Sequence, residues 1–194
     1  MTVLNLAVTV SGNDGGYVGT TFSVTNTRIE PGKNSLDELQ EYFYRFTGVS
    51  GLSGATINSA NLRVYQRSSE LGTALTKIHV EMAAAPAAPT SVADQQGRSR
   101  STGTDVDAYT DGVANTYCAN ISIAAEITEL VASFDPSVIQ VLHDEDGQTL
   151  DATNDYFRWY SWDQTSSSGP LLDIDYTAGG VTTRRYHLPL LGVG

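Results

Sequence analysis

Residues 42 to 65 read YFYRFTGVSGLSGATINSANLRVY, and the fold turns on how this stretch is read. Tyr42, Tyr44 and Phe46 occupy alternate positions, so an extended chain places them on one face and Arg45 on the other. Leu62 and Val64 share a face in the same way, with Arg63 opposite. The intervening GVSGLSGATINSA, residues 48 to 60, is too long for a two-residue turn and carries Ile57 and Ala60 as an apolar anchor of its own. The spacing predicts a hairpin-like unit, with strands at 41–47 and 61–67 locked together by packing.

The same period of two recurs outward from this unit. Strands are expected at 3–10, 17–25, 75–82, 117–123, 138–143, 155–162 and 171–176, each bounded by turn residues. In LTKIHVEM, Ile78, Val80 and Met82 oppose Lys77, His79 and Glu81; in LLDIDY, Leu172, Ile174 and Tyr176 oppose Asp173 and Asp175. Such half-apolar strands belong to antiparallel sheets with one buried face, and nine of them make a two-layer β-sandwich the expected architecture. One segment has a different period. In EITELVASFDP, Ile127, Leu130, Val131 and Phe134 form a helical stripe that Pro136 ends, with Glu126 and Glu129 near its positive end, so a short helix capping the sandwich is expected.

Two segments break the pattern. Residues 83–104, AAAPAAPTSVADQQGRSRSTGT, are poor in large apolar side chains and long for a connection inside a domain; such a loop is expected to be mobile or held from outside the domain. Residues 179–194, GGVTTRRYHLPLLGVG, form a C-terminal arm. It carries Arg184 and Arg185 without an acid, and Tyr186, Leu188, Leu190 and Leu191 without an obvious place in the sandwich. The arm is +2, which leaves the first 178 residues at −13 within a net charge of −11. A basic, apolar arm on an acidic body suits association with like bodies, so these six residues are the candidate interface, against the simpler alternative of a last edge strand with a frayed end.

Composition narrows the function classes. A chain of 194 residues is expected to hold one domain, here 1–178, without metal or disulfide staples, and Cys118, the single cysteine, is expected to be a buried thiol. The acidity argues against nucleic acid and anionic membrane as partners, no apolar run reaches membrane-spanning length, and the first residues do not read as a secretory signal.

The opening stretch also resembles the core of the DNRLRE-type domain, a jelly-roll β-sandwich similar to carbohydrate-binding modules. In that family an aromatic-x-Arg-Phe strand, a Gly-Ala-Thr-Ile bend and a Leu-Arg-x-Tyr strand follow one another. SGNDGGYVG, EITELVASF and YFRWYSWDQTSSSGPLLDIDYT resemble its opening turn, short helix and closing strand pair. The resemblance spans roughly residues 11 to 177. It implies a jelly-roll sandwich of about nine antiparallel strands with one short helix, and because lone domains of this kind occur among phage structural genes, it also implies a place in a virion.

The residue patterns favour a non-enzymatic protein. His79, His143 and His187 stand beside no nucleophile elbow, so no triad is expected. Asp105 and Asp107 in DVDAYTDG, and Asp144 and Asp146 in HDEDGQTLD, are close-spaced hard ligands and therefore weak calcium candidates, although neither stretch fits a twelve-residue calcium loop. No other cofactor is expected. Tyr156, Trp159, Tyr160 and Trp162 are the candidate glycan platform, with packing or an interface as the competing use of the same letters. The leading expectation is a phage capsid decoration or cement subunit, made in the host cytoplasm and located in the virion, whose partners are its own copies and the major capsid or other virion proteins. The alternative is a carbohydrate- or host-receptor-binding module on a tail or cell surface.

Overall fold

The strand that carries Tyr42, Tyr44 and Phe46 and the strand that carries Ala60 and Leu62 do not pair; they belong to different sheets. The computed structural model describes residues 2–69, 72–106, 113–149 and 152–179. In chain order the strands are β1 (Thr2–Ala7), β2 (Asp14–Val18), β3 (Thr21–Ser23), β4 (Arg28–Ile29), β5 (Gly32–Lys33), β6 (Leu39–Thr47), β7 (Thr56–Arg63), β8 (Tyr65–Gln66), β9 (Thr76–Val80), β10 (Thr104–Asp105), β11 (Ile121–Ser122), β12 (Val138–Glu145), β13 (Asp155–Tyr156), β14 (Trp159–Tyr160) and β15 (Leu171–Thr177). Two helices, α1 (Val92–Gln96) and α2 (Ala124–Ser133), complete the described elements.

The molecule is an all-β sandwich. One sheet has the order β1-β15-β7-β11, and the larger one runs β10-β9-β12-β6-β2-β3, with β5 and β13 attached beside β6. A small third sheet, β4-β14-β8, lies off both. Every pairing is antiparallel.

The expected hairpin-like unit is instead an arch between sheets. β6 already has β12 along one edge and β2 along the other, so no edge is left for β7, which pairs with β15 and β11. Residues 48–55 carry the chain across, and Val49 and Leu52 are buried beneath the crossing. The face assignment holds: Tyr42, Tyr44, Phe46, Leu62 and Val64 are core, while Arg45 and Arg63 point away and stay partly exposed.

Nine strands were expected and fifteen are present among the described residues, because several long runs are interrupted. Gly19, at φ +58, turns the chain between β2 and β3. Residues 155–162 are divided between β13 and β14, which serve different sheets, and 117–123 keep only β11 and an isolated bridge from Tyr117 to Tyr65. Three of the four stripe residues, Ile127, Leu130 and Val131, are buried on α2, whereas Phe134 is the extended cap after its last turn and packs partly buried against the core; α2 lies against β7 and β9, one strand from each large sheet, closing an end of the sandwich.

The greatest departure concerns residues 83–104. They are fastened to their own domain. Ser91 caps α1 by accepting from the Asp94 amide, Met82 and Ser101 hydrogen-bond with Ser99 and Val80 at the two ends, and Ser137 donates to the Ala84 carbonyl. The segment forms a third layer over the outer face of the larger sheet. Sequence reading missed this because the fastening is polar and spread over side chains distant in sequence, whereas apolar patterning reports only core contacts.

Within the sandwich one polar string crosses the core. Thr76 Oγ1 donates to the Val106 carbonyl and accepts from His143 Nε2 at 2.9 Å, which leaves Nδ1 to accept from the Tyr44 hydroxyl at 3.1 Å. Cys118 is buried as expected, its Sγ 3.2 Å from the Val64 amide.

Candidate functional site

The largest gathering of ionisable groups lies where the 83–104 layer meets the larger sheet. Alternation puts Tyr17 of β2, Glu41 of β6, Asp144 of β12 and His79 of β9 on the face turned away from the sandwich core, with Tyr17 directly opposite Glu41 in the ladder. The overlying segment answers them in kind. Arg100 Nε meets Asp144 Oδ2 at 2.5 Å, Arg98 Nη1 meets Glu81 Oε1 at 3.1 Å, and Gln96 donates to the Tyr17 hydroxyl at 2.9 Å. His79 Nδ1 lies 2.8 Å from the Ser101 carbonyl and its Nε2 lies 3.9 Å from Asp144, while Gln140 donates to the other oxygen of Glu81.

Burial raises the Glu41 carboxyl to about 7, with Asp144 adding repulsion, while the Tyr17 hydroxyl and Arg100 oppose the shift. Burial also raises the Tyr17 phenol, and Glu41 adds to it. The Arg100 guanidinium is held in its charged form by Asp144 against the cost of burial. The result is a largely buried acid–base layer that holds a covering segment in place.

The calcium candidates separate. Asp105 and Asp146 do converge, but on an ammonium: Lys77 Nζ lies 3.0 Å from one and 3.1 Å from the other. Asp144 is on the clamp with Arg100, and Asp107 lies outside the described residues. Among the described residues no set of three or more His, Cys, Asp or Glu is grouped to hold a metal. Lys33, the other lysine, is fully buried with Asp155 at 3.6 Å and Asp37 at 3.7 Å.

The four-aromatic platform is not one surface. Trp159 is fully buried and stacks on Phe157 at 4.9 Å between centroids, so it belongs to the core. Trp162 is half-buried and its amide donates to the buried Asp14. Tyr156 sits on β13 in the larger sheet's annex, and Tyr160 on β14 in the third sheet. The candidate interface residues Arg184, Arg185, Tyr186, Leu188, Leu190 and Leu191 lie outside the described residues.

Tyr160 does find aromatic company that the sequence reading missed. Arg28, Tyr160, Tyr65 and Tyr117 are successive cross-strand partners, one from each of four neighbouring segments. Tyr65 stands perpendicular to Tyr117 at 5.1 Å and tilted to Tyr160 at 6.4 Å, and the Arg63 guanidinium lies 5.7 Å over Tyr117 while pairing with Asp173 at 2.6 Å. Two hydroxyls fix the rings: that of Tyr65 donates to the Asn115 carbonyl, and that of Tyr117 to the carbonyls of Ser167 and Gly169. These residues are far apart in the chain, and only the pairing of β8 with β14 brings them into a row. Arg28 is exposed and the three tyrosines are half-buried.

Comparison with protein-family models and with curated proteins finds no match for this chain.

Proposed function

We propose that this protein is a non-enzymatic structural subunit of a virion, a phage capsid decoration or cement protein that adds contact area across subunit junctions. The observation that carries the reading is the contrast between a −13 body and a +2, leucine-rich arm on the same chain. An acidic sandwich of this size repels its own copies, and a basic apolar arm offsets that repulsion at one place. The clamped third layer supports the reading, since a body with few moving parts loses little entropy when fixed in a shell. The test is the protein's copy number in purified particles: a symmetric multiple of the shell's lattice is expected, and absence from particles, or a handful of copies at one vertex, would overturn decoration.

A second reading, a carbohydrate-binding module, is favoured by the row Arg28–Tyr160–Tyr65–Tyr117. Half-buried rings, those of Tyr65 and Tyr117 held by their own hydroxyls, offer flat apolar faces beside charged hydrogen-bonding groups. It predicts weak glycan binding on an array that is lost in Tyr160→Ala and unchanged in Trp162→Ala.

A further inference from the structure

We infer that the outer edge of β1 is the docking place for residues 181–188 of a second copy of this chain. The inference rests on the structural-subunit reading and names the partner surface that reading lacks. β1 ends its sheet, and its six residues TVLNLA pair with β15 in unbroken register from Thr2–Tyr176 to Ala7–Leu171. Its other side meets no strand among the described residues.

Exposed strand edges usually carry a lysine, a proline, a bulge or extreme brevity that discourages pairing with another chain. The other ends of the two large sheets follow that rule by brevity, for β3 has three residues and β10 and β11 have two each. β1 has no charge, no proline and no register shift, and its Val3 is 59 % exposed. It is the one long unprotected sheet end among the described residues.

The arm has the matching character. VTTRRYHL, residues 181–188, is an eight-residue run rich in β-branched and aromatic letters, set off by Gly179 and Gly180 before it and Pro189 after it. At about 3.3 Å per residue it is long enough to cover all of β1. Charge agrees with shape. The strand next to β1 carries Asp173 and Asp175 opposite Asn5 and Val3, both partly exposed; Asp173 is paired with Arg63, and Asp175 accepts from the Asn58 amide. Arg184 and Arg185 arriving on β1 would come beside those carboxylates.

Geometry favours a neighbour's arm over the chain's own. Gly179 is fixed at the end of β15, where a Cβ would fall 2.2 Å from the Gly54 carbonyl oxygen, and this is the end of the sheet at which β1 starts. From there the chain's own arm could reach the edge only by rounding the start of β1 and running parallel to it. A second copy's arm can approach in the antiparallel sense, which has the better-aligned ladder.

The experiment uses the full chain and six variants, read by light scattering after size-exclusion and by disulfide trapping. Truncation after Gly179 and Val3→Lys are each expected to weaken self-association at least about tenfold, roughly 1.4 kcal/mol. Val3→Glu is expected to leave it within a few-fold, because a carboxylate there suits an arginine-bearing arm. Equal loss in Val3→Lys and Val3→Glu would mean that β1 pairs with another β1, and would overturn the inference. Mixing Asn5→Cys protein with Thr183→Cys protein is expected to give a crosslinked heterodimer under mild oxidation, whereas a double variant that closes only within one chain would also overturn it. Association that truncation leaves unchanged refutes the arm while sparing the structural-subunit reading; a strictly monomeric full chain that is absent from particles refutes both.

Discussion

At the scale of single residues, three buried titratable groups set how this fold responds to pH. Burial holds His143 down to about 3, so it stays neutral and fits between the Tyr44 hydroxyl and Thr76 as an acceptor and a donor. Because the folded value is below the ordinary 6.5, the unfolded chain binds the extra proton; the stability His143 contributes is complete above about 6.5 and is lost as the pH falls toward 3. Glu41 and Asp14 act in the opposite sense. Burial holds both near 7, above their ordinary 4.5 and 3.8, so their contribution is present below those values and is lost as the pH rises to about 7. Glu41→Gln is therefore expected to stabilise the protein at pH 8 by on the order of 1–3 kcal/mol while changing little near pH 4.5, as read by urea denaturation at the two pH values. Tyr44→Phe removes the donor to a fully buried imidazole nitrogen, and is expected to cost about 1–3 kcal/mol at pH 7 in the same measurement.

At the scale of elements, the 83–104 layer is the part whose behaviour can be tested most directly. Its hold on the sheet depends on Arg98 with Glu81 and on Arg100 with Asp144, and both carboxylates are nearly buried. Arg100→Ala leaves Asp144 next to Glu41 with no cation, an arrangement that costs roughly 3–5 kcal/mol when fully buried and less here, where the arginine is partly exposed. Limited proteolysis and hydrogen exchange are expected to show residues 83–104 released in this variant while β6, β9 and β12 stay protected. Arg100→Lys, which keeps the charge but not the fork of donors, should fall between the two.

The same layer shows what the sequence could and could not reveal. Period-two patterning identified the core faces of β6, β9 and β15 residue by residue, and the stripe Ile127, Leu130, Val131 identified α2, because burial is written in the spacing of apolar letters. Partnership is not written there. Nothing local distinguishes an arch between sheets from a hairpin, since that is decided by β2 and β12 occupying both edges of β6. The alternation through 155–162 was legible, yet which of its aromatics faced inward was not: Trp159 went to the core, and Tyr160 joined Tyr65 and Tyr117, residues 95 and 43 positions earlier in the chain.

At the scale of the whole molecule, charge and topology make separate predictions. If a +2 arm brings −13 bodies together, self-association is governed by two opposing electrostatic terms, local attraction and general repulsion. Raising salt from about 50 to 500 mM screens both, since the Debye length falls to a few ångströms. The truncated chain, which keeps only the repulsion, is expected to become less repulsive with salt in a second-virial measurement, whereas the full chain is expected to lose association. Parallel trends in the two would remove the arm from the account.

The scarcity of lysine has a practical outcome for anyone mapping an assembly of this protein. Lys33 is sealed between Asp155 and Asp37, and Lys77 is gripped by Asp105 and Asp146, so both side-chain amines are occupied. Succinimidyl labels and lysine-directed cross-linkers should therefore give sparse maps and misleading gaps. Carbodiimide coupling through the abundant carboxylates is the chemistry matched to this surface.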